Sequence, residues 1–112
     1  MKPKTSPKDK KNTGKINTEA IELYNALLAI KNVNEMKLFL RDLLTTKEII
    51  ELGRRWQAAK MLYKKMPYTK IVDITGLSST TVARISKWLR EGRGYKMVLS
   101  KRRKNEKRQE LN

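Results

Sequence analysis

The sequence contains no cysteine and no histidine among its 112 residues. Disulfide bonds, thiol nucleophiles and zinc sites built from these residue types are therefore excluded. Catalytic triads and general bases that use histidine are excluded as well. The chain also lacks an apolar run near the roughly 18 residues of a membrane-spanning helix, and its basic start has no apolar stretch of a secretory signal. We therefore expect neither an enzyme nor a metalloprotein nor a membrane protein.

Positive charge is the most prominent feature that the sequence does have. Lysine and arginine number 27 against 11 acidic residues, which gives a net charge of +16. The excess is dense at both ends of the chain, where apolar residues are too few to form a core. We expect a flexible basic arm over residues 1–17, a folded domain over 18–99 and a disordered basic tail over 100–112. Charge of this sign indicates a polyanion as partner.

The predicted helices of the first half carry more apolar surface than one small domain can bury. A first helix begins with Thr18 as N-cap, and nine of the eleven residues from Ala20 to Ile30 are apolar. A second is predicted over 35–44, and a third over about 46–66 again has apolar side chains in excess. In so short a chain this indicates burial against a partner. The sequence therefore predicts an all-α homodimer of interlocking helices.

The pattern over residues 68–90 is typical of a helix-turn-helix. A short first helix is predicted over about 68–75, and Gly76 can adopt the positive φ of the turn. Either Ser78 or Ser79 can cap the second helix. The apolar residues at the spacing of packed helix-turn-helix motifs are Ile71, Leu77, Val82 and Ile85.

The second helix of this motif has two distinct faces at 100° per residue. Val82, Ile85 and Leu89 form the core face. The opposite side is small or polar near its start and cationic beyond, as a helix entering the major groove requires. The candidate DNA-binding residues are those of this side, the serines before it and two polar residues early in the first helix: Thr69, Lys70, Ser78, Ser79, Thr80, Ala83, Arg84 and Lys87.

Several segments together resemble the Trp repressor family, and most closely its short bacterial members. The resemblance covers about residues 18–99 and implies an all-helical, intertwined homodimer that binds operator DNA through its helix-turn-helix. We accordingly expect double-stranded DNA as partner and a place in the cytoplasm, associated with the nucleoid. The segments that carry the resemblance are Leu43–Thr45, Glu51–Arg55, Trp56–Ala59, Thr75–Gly76, Thr81–Arg84 and Gly94–Lys96.

The resemblance also bears on a small-molecule effector. Trp repressor holds tryptophan between its third helix and its recognition helix, with an arginine from each. The resemblance places Arg55 and Arg84 at these positions, and Thr45 at the edge of the pocket. Ile85 and Trp88, however, stand where the family has glycine and serine, and they would fill the space of a free indole. Because an effector needs an open cavity, we expect no cofactor and no tryptophan corepressor.

Three candidate functions remain, and they make different demands on the basic tails and on the carboxylates. The leading hypothesis is a sequence-specific regulator, acting as a repressor on a two-fold symmetric operator. The alternative is a non-specific nucleic-acid-binding protein, architectural or RNA-binding, that depends on its basic tails. The DNA-binding part of a recombination enzyme is disfavoured because the carboxylates are scattered instead of clustered for metal ions: Asp42, Glu48, Glu51 and Asp73.

Overall fold

The structure, a computed structural model, describes the backbone of residues 13–111 and the side chains of residues 17–107. This part of the chain contains helices and no strands, which confirms the all-α prediction, and it divides into two compact units within residues 1–44 and 45–112. Its six helices are α1 (Thr13–Leu28), α2 (Val33–Leu43), α3 (Thr46–Tyr63), α4 (Tyr68–Thr75), α5 (Ser79–Glu91) and α6 (Gly94–Leu111).

The first unit consists of α1 and α2, and none of its described side chains is buried. Local capping defines the start of α2. The side chain of Asn32 accepts the N–H of Glu35 at 2.9 Å, and the Glu35 carboxylate accepts the N–H of Lys31 at 2.9 Å. The apolar excess predicted for this region is present as exposed surface at Ile21, Tyr24, Leu28, Val33 and Leu38.

Helical structure extends further than predicted at both ends of the chain. α1 begins at Thr13, so residues 13–17 of the predicted flexible arm are helical, while residues 1–12 lie outside the described part. The tail predicted to be disordered over 100–112 instead continues α6 as far as Leu111. The reason is compositional, because residues 100–112 contain no proline or glycine and are rich in the helix formers lysine, arginine, glutamate and glutamine.

The second unit packs α3 against α4, α5 and α6 around one core. A capping box starts α3: the Thr45 hydroxyl accepts the N–H of Glu48 at 3.1 Å, and the Glu48 carboxylate accepts the N–H of Thr45 at 2.9 Å. Two fully buried alanines on α3 bring the neighbouring helices close. The core residues are Ala58, Ala59, Leu62, Ile71, Leu77, Val82, Ile85 and Leu99.

α3 ends at Tyr63, short of the predicted Met66. Lys65 lies in the left-handed region with φ 64°. Its N–H donates to the Leu62 carbonyl at 2.9 Å, and the N–H of Met66 donates to the Met61 carbonyl at 3.0 Å. This pair of bonds is the Schellman closure of a helix, here with lysine at the position that glycine usually takes.

Candidate nucleic-acid interface

α4 and α5 form the predicted helix-turn-helix, and the turn is fixed by backbone geometry and one buried hydroxyl. Gly76 has φ 74°, and its N–H donates to the Val72 carbonyl at 2.9 Å. The buried Thr75 hydroxyl donates to the Ile71 carbonyl at 2.7 Å and accepts the N–H of Leu77 at 3.2 Å. The turn therefore keeps its buried polar groups hydrogen-bonded.

Apolar packing and one polar cluster hold α5 in place. The Ser86 side chain, only 7% exposed, accepts hydrogen bonds from the Tyr68 hydroxyl and from Arg90 Nη1, the latter at 3.0 Å. This cluster connects the first residue of α4 to α5. Sequence reasoning missed Ser86, although its place beside Ile85 on the buried side was a usable signal. The four predicted packing residues are all buried: Ile71, Leu77, Val82 and Ile85.

Ser78, the first of the two predicted caps, is the N-cap of α5. Its hydroxyl accepts the N–H of Thr81 at 3.1 Å and donates to the Thr81 hydroxyl at 3.0 Å. Ser79 is the first residue of the helix, and both serines are exposed. The Ser78 hydroxyl is therefore engaged in capping, whereas Ser79 and Thr80 present their side chains at the start of the helix.

The two faces of α5 are arranged as predicted. Val82 and Ile85 are buried and Leu89 is half-buried. The opposite side, formed by four exposed residues, presents a hydroxyl and a methyl group first and two cations further along. We call this side the α5 outer face, and it consists of Thr80, Ala83, Arg84 and Lys87.

Positive charge on the α5 outer face is not neutralised by neighbours. Among the side chains of residues 17–107, one ion pair is present, from Arg55 Nε to Glu51 Oε2 at 3.3 Å. Arg84 and Lys87 therefore have no acidic partner within these residues. The other two candidates, Thr69 and Lys70, are exposed in the first turn of α4. Unpaired cations can bind DNA phosphates, and cations and small polar groups can hydrogen-bond to base edges in the major groove.

The three residues predicted for an effector pocket are engaged differently. The Thr45 hydroxyl caps α3, and the Arg55 guanidinium bonds to Glu51 at 3.3 Å. Arg84 lies on the α5 outer face, and its side chain is exposed. Both Thr45 and Arg55 thus have a glutamate of α3 as partner.

The two tryptophans differ in burial. Trp56 is half-buried and stacks on Tyr95, with ring centroids 6.4 Å apart and planes inclined by 26°. Trp88 is 55% exposed, so it is not a core residue of this chain. Both tryptophans line a shallow groove of about 620 Å³ together with Tyr95 and Val98.

Membrane insertion requires a long apolar helix, and metal binding here would require a cluster of acidic side chains. Within residues 13–111 no helix is long and apolar enough to span a bilayer. Among the described side chains, no three acidic residues lie together in a way that could hold a metal ion.

The fold and the α5 outer face define a helix-turn-helix protein. The family model of the Trp repressor protein matches residues 19–103, which include the whole motif. The chain belongs to the Trp repressor family, a family of transcription regulators. This confirms the resemblance that the sequence motifs predicted.

Individual relatives agree with the family assignment. "Uncharacterized protein YerC" of Bacillus subtilis (strain 168) is 35% identical over 89 residues, covering 79% of this chain and 86% of the relative. The crystal structure of a TrpR-like protein from Eubacterium eligens ATCC 27750 matches with a TM-score of 0.72 and 36% identity, over 79% of this chain and 93% of the other. A solved chain from Staphylococcus aureus matches with a TM-score of 0.72 and 33% identity, over 77% and 87%.

Proposed function

We propose that this protein is a sequence-specific transcriptional regulator that acts as a repressor by occupying its operator. The observation that carries the proposal is the α5 outer face, where Arg84 and Lys87 are exposed and unpaired directly opposite the buried Val82 and Ile85. A helix held this way can enter the major groove with its first turn near base edges. Membership of the Trp repressor family supports the same function.

The proposed binding unit is a homodimer on double-stranded DNA. Large apolar side chains of α1 and α2 are exposed, with Leu28 at 80% and Val33 at 74%. Surface of this kind favours burial against a second chain. A dimer would present two copies of α5 to half-sites about one helical turn apart. The proposed site of action is the nucleoid in the cytoplasm, without a cofactor and without tryptophan as corepressor.

Selection from a random double-stranded DNA library at physiological salt tests this proposal. The full chain is incubated with the library, and bound DNA is sequenced over several rounds. Enrichment of a two-fold symmetric motif is the expected result. Bound DNA without any enriched motif would contradict sequence-specific regulation. Sedimentation of the free protein at twice the chain mass is the expected companion result.

The alternative function is non-specific nucleic-acid binding driven by the basic ends. It is favoured by the exposure of every residue from 101 to 107, five of which are lysine or arginine. Electrostatic contacts of this kind add affinity without sequence information. A protein of this class would bind the library without selecting a motif, and neutralising Lys101 and Lys104 would weaken binding more than neutralising Arg84 and Lys87.

A further inference from the structure

A second cationic surface lies away from the α5 outer face, between α3 and α6. The side chains of Lys60, Tyr63 and Lys64 form one wall of a groove of about 460 Å³. The opposite wall comes from α6 and consists of Leu99, Arg102, Arg103 and Glu106. We call this site the α3–α6 groove.

Helical spacing explains why these residues share one groove. Lys60 lies in the last turn of α3 and Lys64 is the C-cap of that helix, four residues later. The wall on α6 repeats at intervals of three and four residues. Residues at such intervals lie on one face of a helix. Both helices therefore present cationic side chains to the same groove. The sequence alone does not reveal this, because the side chains come from two different helices.

The charge balance of the α3–α6 groove favours an anion. Four cations face one carboxylate, that of Glu106, and within residues 17–107 none of the four is ion-paired. The pKa of Tyr63, which lines the groove, agrees with this charge balance. Its pKa is lowered below 10.0, first by the Ser100 side chain, against an opposing effect of burial, and then by the side chain and charge of Arg103. The surrounding groups thus favour negative charge at the edge of the groove more than water does.

From this arrangement we infer that the α3–α6 groove binds a phosphate-bearing anion. Two arginines can donate paired hydrogen bonds to phosphate oxygens, and two lysines add compact positive charges. The groove has the volume of a small-ligand site, and Leu99 is the one aliphatic residue among the described residues that line it. The phosphate can belong to a free polyphosphate or to the DNA backbone. The inference goes beyond the proposed function, because the α5 outer face contributes nothing to this groove.

The test uses three double variants of the full chain, and its main comparison is between two of them that lose equal charge from the same helix. Arg102→Gln with Arg103→Gln removes two cations from the groove. Lys101→Gln with Lys104→Gln removes two exposed cations from roughly the opposite side of α6. Circular dichroism confirms that each variant retains its helical content. Lys60→Gln with Lys64→Gln removes the cations of the other wall and should weaken phosphate binding as the Arg102/Arg103 variant does. This third variant keeps the test decisive if the Arg102/Arg103 variant does not fold.

The first probe is inorganic triphosphate, and its binding is measured by calorimetry. We expect wild-type protein and the Lys101/Lys104 variant to bind it alike, and the Arg102/Arg103 variant to bind at least about tenfold more weakly. This result would identify a free polyphosphate as a ligand. It does not depend on an operator, so it can succeed even if the proposed regulatory function fails.

The second probe is double-stranded DNA, titrated at several salt concentrations. If the groove holds backbone phosphate, the Arg102/Arg103 variant binds more weakly than the Lys101/Lys104 variant. Its log–log salt dependence is then shallower by about 0.9 for each phosphate that the groove no longer neutralises. The inference is overturned if the two variants behave alike with both probes, or if wild-type protein binds neither.

Discussion

The hydroxyl of Thr75 accepts the N–H of Leu77 at 3.2 Å, so the last side chain of α4 holds the first apolar residue of the turn. The same hydroxyl donates to the Ile71 carbonyl at 2.7 Å. Because Leu77 and Ile71 both belong to the core, this one buried hydroxyl connects the turn to the packing that orients α5.

Thr75→Val tests that relationship. Valine keeps the shape but leaves the buried Leu77 N–H without an acceptor, so we expect the free energy of unfolding to fall by about 1–3 kcal/mol. Thr75→Ser keeps the hydroxyl and serves as control, with a loss of about 0.8 kcal/mol for the missing methyl group. Urea denaturation measures both. A valine variant as stable as wild-type protein would show that the hydrogen bond contributes nothing.

Gly76 is predicted to be needed for its backbone conformation alone. A Cβ added there meets nothing within 4 Å, yet φ is 74°. Gly76→Ala should therefore destabilise the protein by about 1–2 kcal/mol through backbone strain, and Gly76→Val by more. Gly53→Ala is the matched control because its Cβ also meets nothing within 4 Å, but it lies inside α3. There we expect a gain of about 0.5–1 kcal/mol. Thermal denaturation showing the same sign at both positions would contradict this argument.

Lys65 offers the opposite change. It has φ 64° at the Schellman closure of α3, a conformation that glycine adopts without steric cost. Lys65→Gly should raise the free energy of unfolding by about 1 kcal/mol. Lys65→Gln removes the same charge and keeps the strain, so it should leave stability nearly unchanged. If glutamine stabilises as much as glycine in denaturant titrations, charge and not φ is the cause.

The helix-turn-helix was predictable because its signals are local. Gly76 marks the positive φ, Ser78 supplies the cap, and the spacing of Ile71, Val82 and Ile85 gives the packing. Each signal depends on residues close in sequence, and the structure confirms each one.

The remainder depends on features that local patterns do not encode. Lysine gives no sign that residue 65 adopts a left-handed conformation, so the sequence predicts the end of α3 too late. The second half of α6 has no apolar stripe, and helix propensity alone did not distinguish it from a disordered tail. The α3–α6 groove requires two helices to meet, which no single segment shows. The contacts of the predicted DNA-binding residues with DNA stay a prediction.

The ionisation of Tyr63 should report the field at the α3–α6 groove. Its pKa is lowered from 10.0, first by Ser100 and then by Arg103, so the tyrosinate forms at a lower pH than an ordinary tyrosinate. The lowered pKa stabilises the fold only at alkaline pH, and this contribution is lost as the pH falls through the pKa of the folded state. Ultraviolet titration of wild-type protein minus Tyr63→Phe isolates this group. Ser100→Ala should move the titration midpoint upward, and an unmoved midpoint would assign the shift elsewhere.

The α5 outer face makes the most direct prediction for function. Arg84→Ala and Lys87→Ala should each weaken binding to the selected DNA motif by about 1–3 kcal/mol if the side chain reads a base, while thermal stability stays unchanged because both residues are exposed. If a side chain contacts only phosphate, affinity should fall for all sequences alike. Lys101→Gln with Lys104→Gln is the charge control. Electrophoretic mobility shifts on the motif and on scrambled DNA separate these cases, since only a base-reading residue changes the ratio of the two affinities. Unfolding of either alanine variant would show that the side chain belongs to the core and would reverse the assignment of the face.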